Sequence, residues 1–342
     1  MGLAALRDAQ VPTLTADRDA WWRKDVSGRD GVPRAFLLTV RPVSIGSRRR
    51  ITSRRGRASV RGSDPATAHQ RRVDAHFAVA APYWRAVYDE QSVDGDRYRI
   101  RRARALGFAA ELGCAPGTPV LEIGCGAGGA AVALARAGHV VYAVDTAPAM
   151  LALAHRGACE AGVERNIVPV CADARALPFA KEAFGIAIAL GIVPWLPETA
   201  PMLREVRRVL RPAGHVIITA DNRWRLNHVL DPRFAPPLAP LRKRARAAVN
   251  RLRPRRPPPI PWQTHSIREF DRELRASGLD KVAGSTLGFG TFSFAGVPLF
   301  SERTGVRIQR LLQALADDGW PLLRSLGSQY VALARKRDRT SR

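Results

Sequence analysis

Glu122 stands two positions ahead of Gly124, inside the apolar run Val120-Leu121-Glu122-Ile123, and glycines follow it at 124, 126, 128 and 129. An apolar strand that runs into a glycine loop lets backbone amides approach a nucleotide, because glycine permits the tight turn and adds no side chain. Gly124, Gly126 and Gly129 also satisfy the spacing of a dinucleotide-binding turn, so spacing alone does not choose the ligand. The carboxylate does. Beside a doubly negative pyrophosphate it repels, whereas the ammonium and sulfonium of S-adenosylmethionine attract it, directly or through water. A nicotinamide oxidoreductase is disfavoured on the same ground.

Further acids follow at the ends of later apolar runs. His139 to Val144 reads as a strand closed by Asp145, about 20 residues past the glycines, where an acid accepts hydrogen bonds from ribose hydroxyls. Thr146 adjoins it. Ile167 to Cys171 reads as a third strand, followed by Asp173 and Ala174. Asp173 can accept from an adenine amino group, with Leu177 and Phe179 as walls of the ring. A fourth strand, Phe184 to Leu190, opens into Gly191-Ile192-Val193-Pro194-Trp195, and a fifth runs from His215 to Ala220 and ends in Asp221-Asn222. Leu190 is placed on the cofactor, and Trp195 and Asn222 on the wall of an acceptor pocket.

The elements that would position these residues form an α/β chain: a Rossmann-like, doubly wound sheet with helices between parallel strands. Four motifs in this order resemble the class I S-adenosylmethionine-dependent methyltransferases, closest to the ubiquinone/menaquinone-type small-molecule branch. The resemblance spans residues 76–222 well and 263–336 more loosely. It implies seven strands, mostly parallel, with an antiparallel last strand at Gln329 to Ala334, plus helical lid and cap insertions. It also implies that Glu122, Gly124, Cys125, Gly126 and Gly128 cradle the methionine moiety, Asp145 the ribose and Asp173 the adenine. Two departures stand out: Phe184-Gly185 replaces the family's Phe-Asp at the start of the fourth strand, and Pro194-Trp195 replaces a common histidine after it. The second removes an obvious catalytic base.

Methyl transfer from a sulfonium is an in-line displacement, served by positioning and by exclusion of water. An oxygen or carbon acceptor also needs deprotonation, for which His265, Asp221 and Tyr88 are the candidates. Each has an ordinary alternative: a residue beside a helix cap, a turn residue after a strand, and a packing aromatic. Tyr83 to Tyr88 and Arg97 to Leu112 read as lid helices. Ser266 and Glu269 form a capping box that starts another helix.

The domain boundaries follow composition. Residues 1–75 read as an Arg-rich extension without helical or strand periodicity, expected to be disordered; residues 76–222 as the cofactor core with its lid. Residues 223–262 read as a basic, Pro-rich cap, and 263–342 as the rest of the fold with an acceptor-side insertion. In residues 237–256, Leu238, Leu241, Ala245, Val249 and Leu252 recur at helical spacing among arginines. Such a helix either packs on the core or meets an anionic membrane surface.

The net charge of +25 raises the question of RNA. Much of that charge lies outside the cofactor core, arginine dominates lysine as a GC-rich genome would produce, and no nucleobase-methylating Asn/Asp-Pro-Pro-aromatic motif is present. An RNA-directed methyltransferase and a non-catalytic cofactor-binding protein remain the alternatives to methyl transfer onto a small, apolar or lipid-like acceptor. The four cysteines lack Cys-x-x-Cys spacing, so neither zinc nor a disulfide framework is expected. No apolar run has the length of a membrane span, and cytoplasmic residence is the expectation, with peripheral membrane contact through residues 237–256 as one of the two readings of that segment.

Overall fold

The computed structural model describes residues 65–244, 260–295 and 297–338. Its seven-stranded sheet has the order β3-β2-β1-β4-β5-β9-β6. The first four strands are β1 (Pro119–Ile123), β2 (Val140–Asp145), β3 (Ile167–Cys171) and β4 (Phe184–Ala189). They are short, almost wholly apolar runs because helices cover both faces of a parallel sheet. Side chains alternate between the two layers: Val120 packs in the cluster holding Phe108, Leu134 and Ile186, and its neighbour Leu121 in the cluster holding Phe184, Met202 and Phe270.

The far half of the sheet is β5 (Leu210–Asp221), β6 (Leu279–Leu287) and β9 (Gln329–Lys336). β5 is parallel to β4, and β9 is antiparallel to both β5 and β6. The reversed strand therefore lies between β5 and β6, and β6 forms the edge. β5 is longer than its sequence reading, because Leu210 already pairs with Phe184 across a register shift between Phe184 and Ile186. Gly185, the departure from the family pattern, sits in that shift.

Between the strands run α3 (Gly129–Arg136), α4 (Pro148–Glu160), α5 (Ala200–Val209), the short α6 (Leu226–Leu230) and α7 (Ile267–Ala276). α7 starts from the expected reciprocal cap of Ser266 and Glu269. Between β6 and β9 lie a small hairpin, β7 (Ser293–Phe294) with β8 (Val297–Pro298), and α8 (Glu302–Asp317). α8 is tied back to the front of the molecule: Arg310 Nη2 and Gln309 Nε2 donate to the buried Asp96 carboxylate at 2.7 and 2.8 Å.

Two helices precede the sheet, α1 (Pro65–Ala86) and α2 (Val93–Glu111). The first corrects the expected boundary at residue 75. Composition placed residues 65–75 in the extension because α1 is polar along its exposed side, yet Val73 is buried and His69 and Gln70 bond to the core. Residues 1–64, which hold the rest of the Arg-rich extension, lie outside the described residues. The cap segment is divided. Residues 239–244 are helical, with Leu238 and Leu241 40% and 66% exposed, so the described part of the apolar stripe is not buried. Residues 245–259 lie outside the described residues. Among the described residues no helix is long and apolar enough to cross a membrane.

Candidate functional site

The C-terminal ends of parallel strands lie along one sheet edge, and the loops leaving them build a cavity there. Glu122, Gly124, Cys125, Gly126, Asp145, Thr146, Asp173, Ala174 and Leu190 all line it, as do Tyr88 and Trp195. The loop after β1 is held from the next strand. Asp145 Oδ2 accepts from the Gly126 amide at 3.0 Å, and Oδ1 from the Ala147 amide at 2.9 Å. Gly128 does not line the cavity; it caps α3 with φ at +80°, and a Cβ there would stand 2.7 Å from that of Ala154. Its role is close packing of α3 on α4.

Glu122 is buried, and its Oε2 has no partner among the described residues. Burial first, with the Asp145 carboxylate adding, pushes its carboxyl up to about 8, against the Ala131 amide and Arg101. A cation placed beside it would draw out that proton. Asp173 is not free. Both its oxygens receive the Arg175 side chain, Nε at 3.0 Å and Nη2 at 2.6 Å, and despite partial burial these bonds hold its carboxyl below the usual range. An adenine amino group would have to share that carboxylate.

Three other expected residues do not face this cavity. Asp221 is buried, accepting from Trp262 Nε1 at 3.1 Å and Gln329 Nε2 at 3.0 Å. Asn222 spends its amide on chain geometry: Nδ2 donates to the carbonyls of Ser325 and Gly327, and Oδ1 accepts from the Trp224 amide. It is not an acceptor-wall residue. His265 lies in a separate depression with Arg223, Glu269 and Glu273, its Nε2 3.4 Å from the Glu273 carboxylate. Of the three candidate bases, only Tyr88 lines the cavity, and its hydroxyl accepts from Arg101 Nη2 at 3.2 Å.

The lid supplies residues that sequence reasoning missed. Gln70, Val73, Phe77, Trp84, Arg101 and Arg102 line the cavity from α1 and α2. His69 Nε2 lies 2.7 Å from the Trp195 carbonyl, and Gln70 Nε2 donates to Thr146 Oγ1 at 3.0 Å, latching α1 across the opening. Aromatic rings continue from lid to sheet: Trp84 to Phe77, Phe77 to Trp195, and Trp195 to Trp262, with centroids 6.0, 4.9 and 4.5 Å apart. Arg101 is 5% exposed and packs against Gly191, where a Cβ would lie 2.5 Å from its Nη1. The signal that could have found it is helical spacing, since Arg97 and Arg101 share one face of α2 with the buried Tyr98, Ala105 and Phe108.

Residues 121–218 match the methyltransferase domain family. The ubiquinone biosynthesis O-methyltransferase of Cronobacter sakazakii is 31% identical over 147 residues, 43% of this chain and 58% of that protein. The demethylmenaquinone methyltransferase of Corynebacterium urealyticum is 31% identical over 186 residues, 52% of this chain and 75% of that protein. Among solved structures, magnesium protoporphyrin IX methyltransferase from Synechocystis PCC 6803, with bound S-adenosylhomocysteine, superposes with a TM-score of 0.51 at 16% identity. That likeness covers 78% of this chain and 99% of the other, and it speaks for the fold.

Proposed function

This chain belongs to the class I S-adenosylmethionine-dependent methyltransferases, and we propose that it transfers the methyl group to a small acceptor with a lipophilic body. The observation that carries the acceptor class is the aromatic wall of Phe77, Trp84 and Trp195 set directly against the glycine loop. When bound, S-adenosylmethionine supplies an electrophilic methyl on a sulfonium. The chain's own residues do the rest. Asp145, already fixed by two amides, accepts from ribose; Asp173 accepts from adenine; Glu122 faces the ammonium; and Arg101 neutralises the methionine carboxylate. Trp195 and Trp84 flank the acceptor and exclude water, while the α1 latch on Trp195 and Thr146 closes the chamber. Tyr88 is the remaining candidate for taking a proton from the acceptor.

The acceptor's route in is read from the surface. Phe234, Leu238 and Leu241 are exposed beside Arg242 and Lys243, and Phe294, Val297, Leu299 and Phe300 are exposed on the β7–β8 hairpin. The two patches are joined, since Arg233 Nη1 donates to the Ala295 carbonyl and Ser293 Oγ to Asp231. Apolar side chains ringed by arginine suit an anionic bilayer surface, so the reading is a cytoplasmic enzyme in peripheral membrane contact.

Methyl-labelled S-adenosylmethionine, offered with panels of lipophilic phenols and quinols and of polar amines and alcohols, tests the acceptor class. Label in the lipophilic products is the expected result; label only in the polar products would overturn it. Vesicles containing acidic lipid should bind the protein and release it as salt is added. Tight, steeply salt-dependent binding to structured RNA with no vesicle binding would move the surface reading to nucleic acid.

A further inference from the structure

α1 turns one stripe toward the cavity, Gln70, Val73 and Phe77 at helical spacing. That stripe and its flanks are tied to three of the loops that build the site. Phe77 shares a small apolar cluster with Ala127 of the glycine loop and with Ala147, Met150 and Leu153 after β2. His69 Nε2 meets the Trp195 carbonyl, in the loop after β4, at 2.7 Å. Between these two attachments Gln70, Asp74 and Thr146 close a triangle of hydrogen bonds. Gln70 Nε2 donates to Asp74 Oδ1 at 2.9 Å and to Thr146 Oγ1 at 3.0 Å, and Thr146 Oγ1 donates to Asp74 Oδ1 at 2.7 Å. Thr146 adjoins Asp145, the acid assigned to ribose. A cofactor laid along these loops lies beneath α1 and cannot pass while the triangle holds.

Pro82 divides the helix. It has no N–H to give to the Ala78 carbonyl, and an interior proline is where a helix bends. Past Pro82 the chain is anchored: Val87 is fully buried, and the Trp84 ring lies 5.2 Å from that of Tyr98 on α2. Before Pro82 the hold is lighter. No side chain of residues 67–81 belongs to either large core cluster, and Val79 on the outer side is 84% exposed. A few hydrogen bonds and the Phe77 contact keep this part of α1 closed, and each such bond is worth little net of the water it replaces.

We infer that residues 65–81 form a gate hinged at Pro82 and latched by Gln70, Asp74 and Thr146, and that the cofactor and its product exchange only when this gate swings open. The inference rests on the methyltransferase reading, which lays the cofactor along these loops. Asp74 is not among the residues lining the cavity, so it acts on exchange through α1 and not through a bond to the ligand. It is a positioning residue.

Stopped-flow tryptophan fluorescence, with Trp84 and Trp195 in the cavity wall as the signal, follows S-adenosylhomocysteine onto and off the full chain. In the parent the observed association rate should level off as ligand concentration rises, at the rate of opening. Asp74→Ala removes two of the triangle's three bonds and should raise the association and release rates together, each by roughly tenfold. A gate speeds both directions and leaves affinity within about threefold, whereas a ligand contact changes release alone. Asp74→Asn keeps an accepting oxygen but drops the charge beside Asp145, and should stay close to the parent. An association rate that climbs in proportion to ligand without levelling would overturn the inference, as would release that quickens alone or rates that Asp74→Ala leaves unmoved. The parent measurement needs no variant to fold. A parent that binds no S-adenosylhomocysteine refutes the methyltransferase reading itself, a result distinct from binding without a plateau.

Discussion

On its proposed cofactor side the cavity takes Glu122, Asp145 and Asp173 from β1, β2 and the loop after β3, three neighbouring strands, with Arg101 from α2, whereas on its proposed acceptor side it draws on α1 and the loop after β4. Parallel topology alone lines up the three carboxylates, and Asp145 is fixed by the Gly126 and Ala147 amides and Asp173 by Arg175. The second set is assembled from insertions and long-range contacts. A doubly wound sheet thus holds one ligand by its architecture and leaves the other to side chains that can change without disturbing the strands.

The hardest blow to the cofactor side is Gly128→Val. It places a branched side chain at φ +80° and against Ala154. Unfolding scans should show a loss of about 2–4 kcal/mol. A variant as stable as the parent would mean that α3 and α4 have room to part.

Arg101→Met sharpens the comparison, because it keeps most of the side chain's bulk beside Gly191 and removes a buried charge that bonds the Tyr88 hydroxyl. Affinity for S-adenosylhomocysteine should fall by roughly tenfold or more while the melting temperature holds. Unchanged affinity would return Arg101 to the acceptor side.

Trp195→Ala should separate the two sides in kinetics. With a lipophilic acceptor, kcat/KM should drop by about tenfold, since a buried aromatic contact is lost, while S-adenosylhomocysteine affinity stays within about twofold. Equal losses in both would show that Trp195 serves the cofactor.

The smallest effect is in pH. The folded, ligand-free protein keeps the Glu122 proton up to about 8, whereas the ordinary value is 4.5. Between these values the unfolded chain binds fewer protons, so stability falls as pH rises through that window. Glu122→Gln removes the loss and should raise the melting temperature at about pH 8 by about 2–4 °C, with little change near pH 4. The same change should weaken S-adenosylhomocysteine and abolish the proton release that accompanies its binding near neutral pH. A variant whose melting temperature equals the parent's at both pH values would place the proton elsewhere.

How much of this was legible depended on how local the physics was. β1 to β4 could be read because buried parallel strands are contiguous apolar runs, Glu122 because it is the one charge inside such a run, and Asp145 and Asp173 because they close or follow theirs. Asn222 could not be placed, since its position after β5 does not tell whether its amide turns to a cavity or to the carbonyls of Ser325 and Gly327, a hundred residues on. His265 failed for the same reason, its ring turning to Glu273. Arg101 was hidden among the solvated arginines of α2. The stripe of Leu238 and Leu241 was readable as amphipathic, but what covers it is not written in its periodicity.

The central claim is that an acidic glycine loop and the Asp145 carboxylate hold a sulfonium nucleoside and not a dinucleotide. Calorimetry with S-adenosylmethionine, S-adenosylhomocysteine and NADH, on the parent chain and on Asp145→Ala, tests it most directly. Saturable one-to-one binding of both sulfur ligands is predicted, weakened about ten- to a hundredfold by the substitution, with NADH far weaker. Tighter binding of NADH, or sulfur-ligand affinities indifferent to Asp145→Ala, would contradict the account.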